Sequence, residues 1–401
     1  MVFYLINYCY NMCMAITEQQ RHLTKREMIN FGSYYTKSHL VDIVYNIIYA
    51  NIPVNTLEQH TILDSSCGYG SFFNNQKIKN NKKIGADIDK QAILKVRQNI
   101  PGLNTINLNS LMMFDRSDYQ ISVHEKLIIV GNPPYNDTTS IIRNEIKSDI
   151  QHKICPKFKT RDLGISFLKS YAELDADFIC VLHPLSYLIK KANFDLLGNF
   201  SNKYKIIDSI VISSEEFNST APGKTYFPII IALYQRTDGG MRYEDIENFI
   251  FTTKEGPKFS ISHMVSIKNF LSKYPNQKWV KPEKAVAKFW TMRDINALKR
   301  SKTFIDEVTY NTILVQEHKL PYYCYVDVFK QYITHIPYYF GNCDVFIDEV
   351  NFNPIKEYFV AMSAKNRPEF KKYVTREIYA PEEKISNYFK NLLGVHYVET
   401  R

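Results

Sequence analysis

The residues that offer the clearest chemistry are Asn132-Pro133-Pro134-Tyr135, which follow Gly131 and an apolar run at 127–130. A strand cannot continue through two prolines, because each lacks the N–H that a ladder needs and has a fixed φ. We therefore predict a rigid loop at the carboxyl end of a strand, where open α/β sheets bind ligands. The loop offers an amide, carbonyl oxygens and an aromatic ring, but no acid, base or thiol nucleophile.

These groups suit a planar heterocyclic amine. Asn132 Oδ1 and the Pro133 carbonyl would accept hydrogen bonds from its NH₂ group, and the ring of Tyr135 would stack on its face. An ordinary strand-ending turn is the alternative interpretation, since Asn-Pro commonly opens turns. Two further motifs upstream favour the chemical interpretation.

The first of these motifs contains Gly68 and Gly70, shortly after an apolar run at 61–63. Glycines let the backbone approach a ligand closely and expose the N–H groups of the following helix. Phe73 stands where the dinucleotide-binding pattern has its third glycine, and no Gly-Lys-Ser/Thr follows, so neither that pattern nor an NTP-binding loop is present. Asp64, before the glycines, suits a cationic ligand.

The second motif is an acid, Asp87, seventeen residues beyond Gly70 and at the end of the next predicted strand. An acid there can accept both hydroxyls of a ribose. Together with Asp64 this favours a sulfonium nucleoside that carries an amino acid, S-adenosylmethionine, over NAD. The alternative is a glycine turn that packs a helix on a strand, with solvated acids.

The elements that position these motifs alternate along the chain. Helix-like patterns occur at 41–50 and 90–99. They alternate with apolar runs at 61–63, 83–86, 105–108, 127–130, 177–182, 206–212 and 227–234. We predict an α/β, Rossmann-like, mainly parallel sheet with helices on both faces, closed by an antiparallel pair from the last two runs.

The length of 401 residues and the hydrophobic content of 45% predict two packed domains. Thr237-Asp238-Gly239-Gly240 reads as a linker, after which the alternation of strands and helices stops. We expect an N-terminal segment over 1–24, the α/β domain over 25–236 and an irregular α+β domain over 241–401.

The seven cysteines are scattered and form no Cys-x-x-Cys pair, which predicts neither a zinc site nor a disulfide framework. A reducing, cytoplasmic location is the simplest expectation. No run reaches the roughly 18 apolar residues that span a bilayer, and residues 1–16 lack the basic start and cleavage site of a signal peptide. We therefore expect no membrane partner. His183 is interpreted as a loop or packing residue and not as a general base.

The net charge of +9 is concentrated between residues 251 and 300, where eleven Lys and Arg stand against three Asp and Glu. Both tryptophans, Trp279 and Trp290, lie in this window. It is either a solvated basic face with two core tryptophans, or a phosphate-contacting surface with aromatic support.

Over residues 25–236 these motifs resemble the N6-adenine DNA methyltransferases of the Asn-Pro-Pro-Tyr type, in which the cofactor motif precedes the catalytic motif. Phe31-Gly32-Ser33-Tyr34-Tyr35-Thr36-Lys37 is similar to the family's N-terminal motif, with Lys37 in place of the usual proline. The resemblance implies S-adenosylmethionine as cofactor and no metal. It implies cofactor contacts from Tyr35, Thr36, Asp64, Ser66, Gly68, Gly70, Asp87, Asn109 and Asn132, where Asn109 replaces the family's usual Asp.

The same resemblance implies a catalytic motif at Asn132, Pro133, Pro134 and Tyr135, and methyl transfer to the N6 amine of an adenine flipped out of double-stranded DNA. Tyr135 and Phe217 would stack on the extruded base. The domain over 241–401 would recognise the target. The lysines expected to contact phosphates, as a group, are Lys254, Lys258, Lys268, Lys273, Lys278, Lys281, Lys284 and Lys288.

Several alternatives remain open at this point. The tetrapeptide also occurs in enzymes that methylate glutamine amides of proteins, and similar ones act on ribosomal RNA. A non-enzymatic DNA-binding subunit and a bifunctional restriction–modification enzyme are further possibilities. A separate modification enzyme is preferred, acting as a monomer or weak dimer beside a restriction endonuclease for the same site.

Overall fold

The computed structural model describes residues 36–135, 153–217 and 226–399. These form two compact units. The first comprises the described residues of Met1–Val211 together with Ile229–Ile246, and the second comprises those of Ile212–Pro228 and Glu247–Arg401. The described residues among 212–228 thus group with the second unit, although the sequence places them inside the predicted domain 25–236.

The first unit is built on a mainly parallel sheet. Seven of its strands are hydrogen-bonded neighbours in the order β3-β2-β1-β4-β5-β7-β6. The pairs β1–β2, β2–β3, β1–β4 and β4–β5 are parallel, and β5–β7 is antiparallel. The strands are β1 (Thr61–Asp64), β2 (Lys83–Asp87), β3 (Asn104–Asn107), β4 (Leu127–Gly131), β5 (Phe178–Pro184), β6 (Tyr204–Ser213) and β7 (Pro228–Arg236). The predicted α/β class is confirmed.

Strands β7 and β6 form an antiparallel pair, as predicted. Thr237 donates its N–H to the Lys203 carbonyl at 2.8 Å, and Ser214 donates to the Phe227 carbonyl at 2.9 Å. Residue numbers rise on one strand as they fall on the other, which defines the antiparallel direction.

The central strands are buried along their whole length because both faces are covered. All residues of β1 and β4 are buried. Parallel sheets need such cover, since their crossover connections place helices on the faces. The helices here are α1 (Ser38–Asn51), α2 (Val54–Leu57), α3 (Lys90–Asn99), α4 (Leu163–Tyr171), α5 (Ser186–Ile189), α6 (Lys191–Phe194), α7 (Asn199–Lys203) and α8 (Tyr243–Asn248), which extends into the second unit.

Local signals explain where the principal helices begin. Asp89 caps α3 by accepting the Gln91 N–H, and Asp162 caps α4 by accepting the Gly164 N–H. The predicted bounds of α3, 90–99, are confirmed. It packs on β2 and β3 through a face that contains Ile93 and Val96.

The second unit combines short strands with helices around an aromatic core. Its antiparallel pairs are β8 (Phe251–Thr253) with β9 (Lys258–Phe259), and β10 (Ala287–Trp290) with β11 (Thr312–Val315). The helices are α9 (Ile295–Arg300), α10 (Leu320–Gln331), α11 (Glu349–Phe352), α12 (Lys356–Ala364) and α13 (Pro381–Leu393). The buried ring of Tyr325 lies within 6 Å of five other core rings, those of Phe329, Phe352, Phe359, Tyr388 and Phe389. The abundance of Tyr and Phe in this region therefore supplies the packing.

Across residues 36–135, 153–217 and 226–399, no helix combines the length and the apolar character needed to traverse a lipid bilayer.

A single arginine fastens the chain segment that leads into β4. Arg116 donates to the carbonyls of Ser122 (3.0 Å) and Glu125 (2.6 Å) in its own loop. It also donates to those of Leu174 (2.8 Å) and Asp175 (3.0 Å), which precede β5. One guanidinium thus ties the entries of two neighbouring strands together.

We expect Arg116→Ala to lower the free energy of unfolding by about 2–4 kcal/mol, because four carbonyls lose a charged donor. Chemical denaturation followed by circular dichroism measures this. Arg242→Ala is the matched control, since that side chain is 76% exposed. Equal stabilities of the two variants would contradict the role given to Arg116.

Candidate active site

The predicted loop follows β4 as expected, and its first contact is with the end of β1. Gly131 has φ +154°, and a Cβ added there would lie 2.9 Å from Asp64 Oδ1. The end of β4 therefore presses directly on the carboxyl group of Asp64, a contact that only glycine allows. Sequence reasoning treated Gly131 merely as the residue before the motif.

Asn132 is oriented by a residue 96 positions earlier in the chain. Its Nδ2 donates to Thr36 Oγ1 at 3.2 Å, and Thr36 is buried. Its Oδ1 is buried and has no hydrogen-bond partner among the described residues. A buried acceptor without a donor is costly, so this oxygen is available to the donor of a ligand.

The rest of the motif rests on α4. Pro133 is buried, while Pro134 and Tyr135 are half-buried. A Cβ added at Gly164, in the first turn of α4, would lie 3.0 Å from Tyr135 Cβ and 2.5 Å from the Tyr187 hydroxyl. The absence of a side chain at Gly164 therefore lets Tyr135 pack closely against this helix. No sequence motif had indicated a role for Gly164.

Asp64 is a buried acid, 1% exposed, beside this loop. Burial raises the pKa of its carboxyl to about 8, although the N–H of Ser66, which donates to Oδ1 at 3.1 Å, opposes the rise. The group is therefore neutral at pH 7 in this state. A cation placed beside it would restore its ionisation, which is the property predicted for Asp64.

Asp87 organises the glycine loop from the end of β2. Its carboxylate accepts the N–H groups of Gly68 and Asp89, both at 2.8 Å. Burial raises its pKa to about 6 against the effect of these bonds. Asn107, at the end of β3, donates its Nδ2 to the carbonyls of Asp87 (2.9 Å) and Ile88 (3.0 Å). The two carboxylate oxygens together have about four lone pairs, so at least one stays available for a hydroxyl group.

The two glycines of the loop have different roles. Gly68 has φ +50° and faces open space, since no atom lies within 4 Å of an added Cβ. Gly70 has φ +81° and packs on α3, where an added Cβ would approach Val96 Cγ2 to 2.4 Å. Of the two glycines, only Gly68 therefore leaves room for a ligand to approach the backbone, although the sequence predicted this role for both.

The element after the glycines differs from the expected helix. It is a 3₁₀ helix of three residues, Ser71–Phe73. Phe72 and Phe73 are both buried, which turns the chain into the core instead of extending a helix. A helix dipole therefore contributes little at this loop.

Asn109 uses its amide within the protein. Its Nδ2 donates to the Lys153 carbonyl at 2.8 Å and its Oδ1 accepts the Leu111 N–H at 3.0 Å. The two ends of the amide thereby bond the backbone at Lys153 and at Leu111. The predicted contact between Asn109 and the cofactor remains a prediction, and Tyr35 lies outside the described residues.

A cavity of about 290 Å³ adjoins the N-terminal motif and the glycine loop. Most of the side chains that line it are polar. Thr36 of the N-terminal motif and Gly70 of the glycine loop both line this cavity. The lining residues are Thr36, Ser38, Val41, Asp42, Tyr69, Gly70, Ser71, Asn74, Asn75, Asn99 and Ile100.

His183 belongs to the core. Its Nε2 lies 2.7 Å from the Tyr234 hydroxyl, and its ring stacks on that of Tyr187 with centroids 5.3 Å apart. Burial lowers its pKa to about 4. The packing interpretation is confirmed. Over the described ranges, no group of three or more His, Cys, Asp or Glu side chains could hold a metal ion.

The remaining predicted residues lie in the second unit. Phe217 ends the 3₁₀ helix Ser214–Phe217 and is half-buried. Trp279 is 80% exposed, so the interpretation of two core tryptophans is wrong for this residue. Trp290 is half-buried on β10.

The eight lysines expected to act as a group are not equivalent. Lys254 pairs with Glu216, Lys273 pairs with Asp344, and Lys288 donates to the Asp306 carbonyl. Five exposed lysines, Lys258, Lys268, Lys278, Lys281 and Lys284, have no carboxylate partner within the described part of the chain.

Comparisons with known proteins add the following. No family model matches the chain. Over 211 residues the chain is 24% identical to the Type II methyltransferase M.CvrRI of Paramecium bursaria Chlorella virus XZ-6E, covering 51% of this chain and 49% of that protein. The chain thus spans about half the length of the relative it matches.

Solved structures similar to the chain include two methyltransferases. One is the TehB-like SAM-dependent methyltransferase of Corynebacterium glutamicum, with 14% identity, coverage of 48% of this chain and 87% of that one, and a TM-score of 0.29. The other is the magnesium protoporphyrin IX methyltransferase of Synechocystis PCC 6803, with 15% identity, coverage of 50% and 79%, and a TM-score of 0.31.

We expect Asp64→Asn to be more stable than the natural protein near pH 8, by about 2–5 kcal/mol, and no more stable near pH 4. The folded pKa of about 8 lies above the usual 3.8. The natural protein therefore has its full free energy of unfolding below pH 4, where Asp64 is protonated in both the folded and the unfolded state. It loses part of that free energy as the pH rises from 4 to 8, because the carboxyl then ionises more readily in the unfolded state. Thermal unfolding of both proteins across this range measures the difference. Asp238→Asn, at an exposed position, controls for the loss of one acid, and a pH-independent difference would contradict the burial argument.

Proposed function

We propose that this chain is an S-adenosylmethionine-dependent DNA methyltransferase that modifies the N6 amine of adenine. The observation that carries the proposal is the Asn132 side chain. Its NH₂ group is directed to Thr36, and its Oδ1 is buried without a donor among the described residues. An acceptor held in this way fits an aromatic amine, which has hydrogens to donate.

The neighbouring strand ends support S-adenosylmethionine as the cofactor. Asp64 would face its cationic end, Asp87 would accept its ribose hydroxyls, and Gly68 leaves open space for its approach. When bound, this cofactor supplies an electrophilic methyl group. The neutral Asp64 fits such a ligand, because a cation would lower the pKa of that carboxyl and ionise it.

The contribution of the chain to the reaction is orientation and electrostatics. Asn132 Oδ1 and the Pro133 carbonyl would each accept one amine hydrogen, which fixes the plane of the amine and the direction of its nitrogen lone pair. Fixed dipoles in a buried site stabilise the positive charge that develops on the nitrogen. No covalent intermediate with the protein is needed.

A base within a duplex hides its exocyclic amine, so the base must leave the helix at a cost of a few kcal/mol. Stacking on an aromatic side chain recovers about 1–3 kcal/mol per base. We propose Tyr135 as the stacking residue, because it packs against α4 where Gly164 leaves room for it. Phe217 is the second candidate.

DNA is the proposed substrate because of the resemblance to the N6-adenine enzymes and the exposed lysines of the second unit. The likeness to a Type II methyltransferase supports methyl transfer as the reaction. Transfer of radioactive methyl groups to DNA, to ribosomal RNA and to a protein release factor compares the three substrate classes directly. Label on RNA or protein alone would overturn the proposal, and sequencing of methylated DNA would identify the modified base.

We expect Asn132→Ala to slow single-turnover methyl transfer by about 10²–10³-fold, the loss typical of one oriented catalytic dipole. Thr36→Val removes the hydroxyl that holds the amide and should slow transfer by roughly tenfold. Thr36→Ser keeps that hydroxyl and serves as the matched control. An unchanged rate in Asn132→Ala would refute the mechanism.

For the DNA contacts, we expect replacement of Lys278, Lys281 and Lys284 by Gln to weaken binding and to reduce the slope of log K against log salt concentration by about 2–3. Each lost phosphate contact releases about one counterion fewer. A titration of duplex DNA at several salt concentrations measures the slope. Replacement of Lys371, Lys372 and Lys384 removes the same charge elsewhere in the unit. Equal slopes in both triple variants would exclude the proposed contacts.

A further inference from the structure

Three aromatic side chains in two segments of the second unit, 274–280 and 308–314, are strongly exposed. Tyr274 is 62%, Trp279 80% and Tyr310 87% exposed. The same unit buries rings such as those of Phe289 and Tyr325 completely. An exposed ring of this size contributes none of the stabilisation that its burial would give to the folded protein. Clusters of such rings usually mark an interaction surface.

Hydrogen bonds fix the segments that carry these rings side by side. The buried Asn276 donates to the Leu314 carbonyl at 2.9 Å and accepts the Leu314 N–H at 2.8 Å. Gln277 Nε2 donates to the carbonyls of Thr309 (3.1 Å) and Thr312 (3.2 Å). The segments that carry Tyr274 and Trp279 on one side and Tyr310 on the other are therefore held together. We call these three residues the aromatic surface.

The charges around the aromatic surface are mixed but mostly positive. Lys278 and Lys281 flank Trp279, and Lys284 follows. Glu283 and Glu307 are exposed acids in the same segments. A uniform phosphate track would avoid such acids, so the lysines alone do not explain the surface. Flat rings beside separate lysines match a ligand that has both planar bases and phosphates.

We propose that the aromatic surface binds unpaired bases of DNA by stacking on Trp279 and Tyr310, with the backbone phosphates near Lys278 and Lys281. The inference rests on the proposed function, because it assigns a second contact to the same DNA. A protein partner fits less well. Among the exposed large apolar residues of the segments 274–280 and 308–314, Val308 is the one aliphatic side chain, at 56% exposure.

The two tryptophans allow a direct test. Trp290→Phe leaves Trp279 as the sole indole, since the chain has two tryptophans. A single-stranded thymidine oligonucleotide is the probe. It contains no adenine, so its binding does not depend on the proposed methyl transfer. We expect saturable quenching of Trp279 fluorescence by this strand and much weaker quenching by a fully paired duplex of equal length.

Variants at the rings complete the test. Trp279→Ala and Tyr310→Ala should each weaken binding of the thymidine strand by roughly tenfold without changing its salt dependence, because stacking releases no counterions. Trp279→Phe keeps a ring and should lose less, which also guards against a folding defect. Tyr379→Ala is the matched control, since Tyr379 is 70% exposed and lies beside the acids Glu377, Glu382 and Glu383.

Unchanged affinity in both alanine variants would overturn the inference, as would equal quenching by single and double strands. Capture of a protein through Trp279, with binding of the strand intact in Trp279→Ala, would likewise overturn it. None of these results bears on methyl transfer, which the Asn132 experiment tests separately.

Discussion

The contact between Asp64 and Gly131 is the constraint on which the rest of the site depends. It joins the ends of two neighbouring parallel strands, β1 and β4, so tightly that a Cβ at Gly131 would lie 2.9 Å from the carboxyl oxygen. A buried acid is thereby held against the residue that precedes the Asn-Pro-Pro-Tyr loop. Because the two strands are hydrogen-bonded along their length, neither group can move without the sheet.

The polar groups of the site are arranged in pairs. Asp64 accepts from Ser66, Asp87 accepts from Gly68, and Asn132 donates to Thr36. In each pair, the hydrogen bond fixes the orientation of one polar side chain. That side chain keeps a further lone pair or oxygen with which it can contact a ligand. A site organised in this way can bind and orient a ligand without spending binding energy on rearranging its own side chains.

The second unit reaches its stability by a different route. It has short strands and helices, and its core consists largely of interlocking Tyr and Phe rings. Such a core needs little regular structure, because each ring buries a large area at a small cost in side-chain entropy. The exposed rings at Tyr274, Trp279 and Tyr310 stand apart from this pattern, which is why they point to binding and not to packing.

The sequence by itself determined the seven strands of the first unit, the bounds of α3 and the place of the Asn-Pro-Pro-Tyr loop, because hydrophobic period, proline and capping residues act locally. Only the tertiary structure decided that Thr36 orients Asn132, that Gly131 and Gly164 provide space, and that Asn109 is engaged within the protein. It also separated the buried rings from exposed Trp279 and the paired lysines from the unpaired ones. These facts depend on contacts between residues far apart in the chain, which no local pattern encodes.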